Sequence, residues 1–162
     1  MPEKIATALI KELREETGAG VMASKRALVE AAGDLDRARE ILRVEGLALA
    51  EAKSGRETRQ GHIESYIHAS RPLGALLALG CETDFMARTD EFRALAKDLA
   101  MHIAAMNPGK VTGDDEGDGE ALVDQAYFRD GSKTVGSVIS ELVARTGENI
   151  QVLRFSRFEL DS

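Results

Sequence analysis

The first third of the chain carries apolar residues at the spacing typical of helices. Ile5, Leu9 and Leu13 recur every four residues, and they predict a first helix over about residues 4–16. The segment Thr17–Gly20 contains two glycines. It is expected to end that helix, because glycine weakens helices and readily adopts positive φ.

Two further helices complete this N-terminal unit. The second is predicted over residues 21–32, and the third begins after Asp34, whose side chain is a favourable N-cap. Gly46 lies where a glycine would follow the end of the third helix, although helical composition continues to about Lys53. A unit of this size has a thin core and is expected to be only marginally stable by itself.

The pattern of polarity changes after the helices. Residues 47–61 become charged and lose their apolar periodicity, and residues 54–61 have the composition of a solvated linker. Residues 62–69 then predict a strand, a proline-containing turn follows at Arg71–Gly74, and residues 75–81 are apolar on both faces of the pleat. A strand of that kind is expected to be central in its sheet and covered on both sides.

Two more helices are predicted in the second half of the chain. The clearest apolar stripe predicts a helix over 89–106, which Thr89 can cap. An acidic, glycine-rich excursion follows over 107–120 and reads as solvated chain. A further helix is predicted over 134–146, with Thr134 as its N-cap.

The chain closes with a predicted strand over 150–160. The parity of its apolar positions changes around Arg154, which predicts a β-bulge there. The second region is therefore expected to be an antiparallel sheet with packed helices, and the whole chain to be α+β. The predicted domains are a helical unit over 1–53, the linker over 54–61 and a core domain over 62–162.

Composition narrows the possible functions. Aromatic residues make up only 4% of the 162 residues. All seven follow residue 65, so the helical unit must pack on aliphatic side chains. The net charge of −7 disfavours a nucleic-acid partner, since such proteins carry a basic excess that neutralises phosphates. No apolar run approaches the roughly 20 residues that span a bilayer, and the N-terminus has no signal-peptide centre. A cytoplasmic protein without a membrane partner is expected.

Residues that could carry catalysis are few. Cys81 is the single cysteine, so it predicts no internal disulfide and belongs to no zinc motif. A buried small hydrophobe is favoured over a nucleophile at this position. There is no glycine-rich phosphate loop, and no histidine pair has the i, i+4 spacing of a helical metal site. No catalytic residue, metal or cofactor is therefore expected.

The segment Cys81–Thr89 joins the predicted central strand to the clearest helix. Within it, Asp84, Phe85 and Met86 bring a carboxylate and two large apolar side chains into a strand-to-helix loop. Exposed apolar side chains flanked by charge are typical of anchors for a partner surface. From the residues alone, packing of Phe85 into the core is as well supported as an exposed anchor.

Several runs of the chain together resemble the bacterial elongation factor Ts family. These runs lie at both ends and in the middle of the chain, in the family's order: Ile10–Arg14, Thr17–Met22, Lys25–Leu28, Glu82–Phe85, Arg88–Phe92 and Gly147–Ile150. The resemblance implies a guanine-nucleotide exchange factor that acts on elongation factor Tu and is not an enzyme. It also implies that the three N-terminal helices form a ubiquitin-associated-like domain.

The resemblance further implies two partner-binding regions. Thr83, Asp84, Phe85 and Met86 match the element that, in the family, pushes between two helices of the GTPase domain and disturbs its magnesium site. Met86 stands where valine is usual in the family. The residues of the N-terminal unit that match the docking region are Leu13, Arg14, Gly20, Val21, Met22 and Lys25.

The length of the core carries an expectation about assembly. Many family members have a core of two similar halves, whereas this chain holds one half. Short members of the family pair to replace the missing half, so the resemblance implies a homodimer through the core sheet.

Two other functions stay open. One is an adaptor whose helices bind ubiquitin-like or nascent peptides without needing residues 83–86. The other is a cysteine hydrolase, which Cys81 alone supports.

Overall fold

A computed structural model describes residues 4–160 of the chain. These residues form two compact units, the first from residues 4–54 and 140–147, the second from residues 55–139 and 148–160. Within this range no helix combines the length and the apolar character needed to cross a membrane. Nor do three or more His, Cys, Asp or Glu side chains within it come together in a way that could hold a metal ion.

The first unit contains three helices, α1 (Thr7–Thr17), α2 (Val21–Glu30) and α3 (Leu35–Lys53). Gly18 ends α1 in the left-handed conformation, with φ of 73° and its N–H bound to the carbonyl of Arg14. The buried hydrophobic side chains of these helices are aliphatic, as the absence of aromatic residues from this region requires. They are Leu13, Ala27, Leu28, Ala31 and Ala38. Three helices are therefore confirmed, while their likeness to a ubiquitin-associated domain stays a prediction.

Helix α3 begins where the sequence predicts and continues past the predicted glycine stop. The carboxylate of Asp34 accepts hydrogen bonds from the backbone N–H groups of Asp36 and Arg37, so the predicted N-cap is confirmed. The predicted stop at Gly46 is wrong, because Gly46 lies inside the helix. A Cβ at this position would lie only 3.3 Å from the Cβ of Ala144. Close packing against residues 140–147 therefore offsets the weak helix propensity of this glycine.

The second unit is built on an antiparallel sheet of three strands, β1 (Gln60–Ile67), β2 (Leu73–Cys81) and β5 (Ile150–Glu159), in the order β1-β2-β5. The predicted central position of β2 is confirmed. Helix α5 (Asp90–Met106) packs across the strands on one face of this sheet. The threonine cap predicted for this helix is also confirmed, since the Thr89 hydroxyl accepts a hydrogen bond from the backbone N–H of Phe92.

The prediction that β2 is covered on both faces is wrong within the described residues. Leu77 and Leu79 point towards α5 and are buried. Leu76, which directly precedes Leu77, is half exposed on the opposite face. We call that opposite side of the sheet the open face. Its large apolar residues are Ile63, Ile67, Leu76, Leu153 and Phe158.

The predicted bulge in the last strand is confirmed next to Arg154. Ala78 pairs with Arg154 while the following residue, Leu79, pairs with Val152, so Leu153 is the extra residue. Because of this insertion, Val152 and Phe155 both lie on the side of the sheet that faces α5, despite their different parity.

Shorter elements complete the second unit. A one-turn helix, α4 (Asp84–Ala87), separates β2 from α5, and a small hairpin, β3 (Ala126–Tyr127) with β4 (Asp130–Thr134), follows a 3-10 turn at Leu122–Asp124. The hydrophobic pattern predicts none of these. Helix α6 (Val135–Thr146) matches its prediction.

The acidic excursion over 107–120 is irregular, as predicted, and a backbone hydrogen bond joins its two ends. The N–H of Gly109 donates to the carbonyl of Glu120 at 3.0 Å. A side chain cannot be accommodated at Gly109, because a Cβ there would lie 1.8 Å from the carbonyl oxygen of Asp118. The loop therefore leaves and rejoins the fold at one point.

Candidate partner-binding site around Phe85

Phe85 lies on the surface of the second unit and is 81% exposed. It belongs to α4, a single helical turn between the end of the apolar strand β2 and the start of α5. Met86 and Ala87 on the same turn are buried, so α4 rests on its inward side and presents Phe85 outwards. The structure shows that Phe85 is exposed and not packed into the core, while its role as an anchor for a partner stays a prediction.

Met86 is not part of the exposed surface. Its side chain is only 5% exposed, whereas the family resemblance placed it in the partner-binding element. The reason is geometric: adjacent residues of a helix point about 100° apart, so Phe85 and Met86 cannot share one surface. Met86 anchors α4 in the core, whereas Thr83, Asp84 and Phe85 are all exposed.

The start of α4 is held by a cap and by a carboxylate from a distant part of the chain. The hydroxyl oxygen of Thr83 accepts a hydrogen bond from the N–H of Met86 at 3.1 Å. The carboxylate of Glu148 accepts three hydrogen bonds in this segment: from the N–H of Glu82 at 3.1 Å, the N–H of Thr83 at 2.9 Å and the hydroxyl of Thr83 at 2.8 Å. This contact joins residues 65 and 66 positions apart in sequence.

A second carboxylate, that of Glu82, binds the segment that carries Glu148. The Glu82 carboxylate accepts a hydrogen bond from the N–H of Asn149 at 2.8 Å and lies 3.5 Å from the guanidinium of Arg56. The side-chain amide of Asn149 donates to the carbonyl of Arg56 at 2.8 Å. Glu82 and Glu148 therefore each bind the backbone of the segment that carries the other. We call this pair, with Asn149, the carboxylate latch.

The charges next to Phe85 are exposed. Asp84 and Arg88 form an i, i+4 ion pair at 3.4 Å with both side chains largely in solvent. Such a pair contributes little to stability, since water and salt screen it. Both groups are consequently available to a partner surface.

Cys81 lies at the base of this segment and is buried. Its thiol donates a hydrogen bond to the carbonyl of Thr83 at 3.1 Å. Burial, and after it the negative charge of Glu148, raises the pKa of the Cys81 thiol to about 11. Cys81 is therefore a protonated thiol at neutral pH, whereas a nucleophilic cysteine has a lowered pKa and an accessible sulfur. These observations favour a structural role.

The second candidate region lies in the helical unit. Arg14, Gly20, Val21, Met22 and Lys25 are all exposed, and the side chain of Met22 is 73% exposed. They lie at the end of α1, in the turn and at the start of α2.

Leu13 does not belong to this surface. It is completely buried among the apolar residues of the three helices, so its side chain supports the surface from inside. Its position in the apolar stripe of α1 carries that information in the sequence, because a stripe residue at the centre of a helix normally faces the core.

Sequence reasoning missed the carboxylate latch. In the sequence Glu148 belongs to a family-like run after a helix stop. No local pattern there indicates that its side chain binds the end of a distant strand. The one usable signal is that Glu82 and Glu148 each lie just beyond a predicted element, where backbone N–H groups lack partners.

Comparison with known proteins identifies the family. The family model described as "Elongation factor TS" matches residues 36–122. Elongation factor Ts of Thermotoga neapolitana is 43% identical, with 97% of this chain and 98% of the relative covered. Elongation factor Ts of Thermotoga maritima is also 43% identical, with 97% and 96% covered. Elongation factor Ts of Rubrobacter xylanophilus is 42% identical, with 93% and 96% covered.

The alignment with the Thermotoga proteins also reveals a difference in length. It extends over 192 positions, whereas this chain has 162 residues, so at least 30 positions of those relatives have no counterpart here. Identity above 40% over nearly the whole of both chains nevertheless leaves no doubt about descent. This chain belongs to the elongation factor Ts family of translation elongation factors.

Proposed function

We propose that this chain is the guanine-nucleotide exchange factor of elongation factor Tu and that Phe85 is the residue that disturbs the nucleotide site of that GTPase. The observation that carries the proposal is the exposure of Phe85 on a short helix held by the carboxylate latch, in a chain of this family. A large apolar side chain kept in solvent on a well-supported turn is typical of an anchor for a partner.

The mechanism follows from the chemistry of the bound nucleotide. Magnesium bridges the phosphate oxygens of GDP to a GTPase and neutralises their charge. Insertion of Phe85 between helices of the GTPase would move groups near that ion and weaken GDP binding. By thermodynamic reciprocity, GDP then weakens binding of this chain by the same factor. The chain leaves once GTP has rebound.

The proposed action needs no covalent step. Binding energy alone shifts the GTPase towards the state without nucleotide, so the chain is proposed to work as a binding protein rather than as an enzyme. The buried, protonated Cys81 agrees with this proposal. We place this activity in the cytoplasm, and the net charge of −7 supports a protein partner over nucleic acid.

The three-helix unit is proposed to be the docking module, in the manner of a ubiquitin-associated domain. Met22 is its most exposed large apolar side chain, at 73%, and Lys25 lies one helical turn further along α2. An apolar side chain next to a positive charge fits a groove with an acidic rim. Docking here and disturbance at Phe85 would then make separate contributions.

The test is stopped-flow release of a fluorescent GDP from elongation factor Tu over a range of concentrations of this chain. Phe85→Ala is expected to lower the maximal release rate by about tenfold or more, since truncating a central aromatic anchor commonly costs about 2 kcal/mol. Met22→Ala is expected instead to raise the half-saturating concentration and to leave the maximal rate nearly unchanged.

Phe128→Ala is the matched control, because Phe128 is a partly exposed phenylalanine of the same unit that contacts His102 and Tyr127 instead of α4. It should release GDP as the wild type does. An unchanged maximal rate for Phe85→Ala contradicts the role of Phe85. Failure of the wild-type chain to accelerate release contradicts the exchange function and favours the adaptor alternative.

We also propose that the open face pairs with the open face of a second copy. Its five large apolar side chains are between 49% and 75% exposed. Three of them, Ile67, Leu76 and Phe158, border a groove of about 360 Å³ between β1, β2 and the end of β5. Monomeric soluble proteins seldom expose a continuous apolar patch of this kind, and antiparallel sheets commonly pack face to face. A second copy offers the same apolar face, so a two-fold dimer covers both at once.

A further inference from the structure

The backbone of α4 sets the direction in which the Cα–Cβ bond of Phe85 leaves the chain. With 81% of its surface in solvent, its side chain has little packing that could fix its direction. The helix has only four residues, too few for an internal ladder of hydrogen bonds. Whatever fixes the first turn of α4 therefore fixes where Phe85 points.

The first turn is fixed from outside α4 by Glu148. Its carboxylate accepts from two consecutive N–H groups, those of Glu82 and Thr83, which β2 leaves unpaired as it ends. It also accepts from the hydroxyl of Thr83 at 2.8 Å. With its proton directed at Glu148, that hydroxyl turns a lone pair towards the N–H of Met86, which it caps. One carboxylate thus orients both the backbone before α4 and the cap of α4.

A carboxylate is the side-chain group that fits this position best. Three donors converge on it, and an ionised carboxylate accepts with both oxygens and carries no donor of its own. Hydrogen bonds to an ionised acceptor are also shorter and stronger than neutral ones. Glu148 is itself held, because the next residue, Asn149, donates its N–H to Glu82 at 2.8 Å.

We propose that Glu148 is the positioning residue of the exchange element: its carboxylate holds α4 so that Phe85 is presented ready for insertion into the partner. The proposal rests on the exchange function proposed above, and it assigns to Glu148 an effect on the maximal rate of GDP release rather than on docking. Pre-orientation of this kind saves the free energy of ordering a loop at the moment of binding.

The experiment uses the full chain and measures three quantities: the maximal GDP-release rate, the half-saturating concentration and the hydrogen exchange of the amides of Glu82 and Thr83. Glu148→Ala is expected to lower the maximal rate by roughly tenfold, the scale on which misplacing an oriented group acts. It is also expected to speed exchange of those two amides. The half-saturating concentration should change less than twofold.

Two conservative variants separate positioning from folding. Glu148→Gln keeps an acceptor for the two N–H groups and is expected to retain most of the maximal rate. Glu148→Asp keeps the charge, but it is one methylene too short to reach all three donors, and it should lose rate while remaining folded. Asp98→Ala is the matched control, since Asp98 is a carboxylate of the same unit that accepts from Tyr127 and Arg129. It should keep the wild-type maximal rate.

A double variant tests whether Glu148 acts through Phe85. If it does, Glu148→Ala slows release in the wild type and has no further effect on the maximal rate in the Phe85→Ala background. Its effect on amide exchange persists in both backgrounds. Additive rate losses would mean that Glu148 acts by another route, and the proposal would be overturned.

The outcomes also distinguish the two proposals. A wild-type chain that releases no GDP defeats the exchange function, and the positioning role falls with it. If the wild-type chain releases GDP and the Glu148→Ala and Glu148→Asp variants keep its full maximal rate, the positioning role alone is wrong.

Discussion

At the scale of single residues, His102 is a buried titratable group whose protonation state affects stability. It is completely buried on α5. Its Nδ1 accepts a hydrogen bond from the N–H of Phe128 at 3.2 Å, and its Nε2 lies 2.9 Å from the side-chain oxygen of Gln125. The Gln125 amide in turn donates to the carbonyl of Met106. This network has places for one ring proton only, at Nε2, so it specifies the neutral imidazole.

We expect the stability of the protein to fall as the pH is lowered below about 6.5. Burial lowers the pKa of His102 below its ordinary value of 6.5, while the hydrogen bond with Gln125 opposes that shift. The unfolded chain therefore binds this proton at a higher pH than the folded chain does. The contribution of His102 is fully present above the unfolded pKa and is lost with a slope of at most about 1.4 kcal/mol per pH unit below it.

Urea unfolding between pH 7.5 and 5.5 measures this slope. The variant His102→Gln removes the titrating group, so its free energy of unfolding should depend less on pH over the same interval, even if it is lower throughout. Equal slopes for the variant and the wild type would show that other groups cause the pH dependence.

At the scale of elements, Thr89 connects α4 to α5. Its hydroxyl donates to the carbonyl of Met86 at 2.8 Å and accepts from the N–H of Phe92 at 3.2 Å. The same hydroxyl therefore satisfies the end of one helix and the beginning of the next. Asp90 and Glu91 in the first turn of α5 add favourable charge at the positive end of the helix dipole.

Thr89→Ala should lower the free energy of unfolding by about 1–2 kcal/mol, the cost typical of a lost N-cap. Thr89→Ser keeps the hydroxyl and should stay within about 0.5 kcal/mol of the wild type, as substitutions that preserve the interaction do. Chemical denaturation of the three proteins gives both values. An alanine variant as stable as the serine variant would show that the cap contributes nothing here.

At the scale of the whole molecule, the open face carries the prediction about the oligomeric state. If it pairs with a second copy, light scattering at micromolar concentration should give about twice the 17.5 kDa mass of the chain. Leu76 lies on the central strand of that face and is half exposed. Leu76→Glu should therefore shift the mass to that of one chain, because pairing would bury the new carboxylate without a partner.

Val29→Glu is the matched control for this measurement. Val29 is also about half exposed, but it lies on α2 in the helical unit. This variant should keep the doubled mass. A wild-type mass of 17.5 kDa would show that the open face is not covered by a second copy.

Local patterns were sufficient to predict most helices and strands. The apolar stripe and Thr89 defined α5, Asp34 defined the start of α3, and the change of parity near Arg154 located the bulge. Each of these signals acts within a few residues of chain. The stop predicted at Gly46 is wrong because its helix packs closely against Ala144, nearly a hundred positions away, and that contact has no local signal.

For the candidate site too, the sequence predicts one part and tertiary packing decides the other. The sequence, through its resemblance to a family, drew attention to residues 83–86, yet it could not decide which side chain faces solvent. That outcome depends on how α4 rests against the core, which exposes Phe85 and buries Met86. In the helical unit the burial of Leu13 could have been read from its stripe, whereas the exposure of Met22 required the packed helices.

The sequence by itself therefore determined the longer helices and strands, the caps at Asp34 and Thr89 and the α+β class, because these depend on periodicity and on short-range hydrogen bonds. Its runs of family-like residues pointed to the family. Only the tertiary structure decided that one face of the sheet is left open by residues 4–160, that Phe85 is exposed while Met86 is buried and that Glu148 binds the start of that turn. The reason is physical. Burial and hydrogen bonding between distant segments depend on which elements pack together, and such contacts leave no pattern in the local sequence.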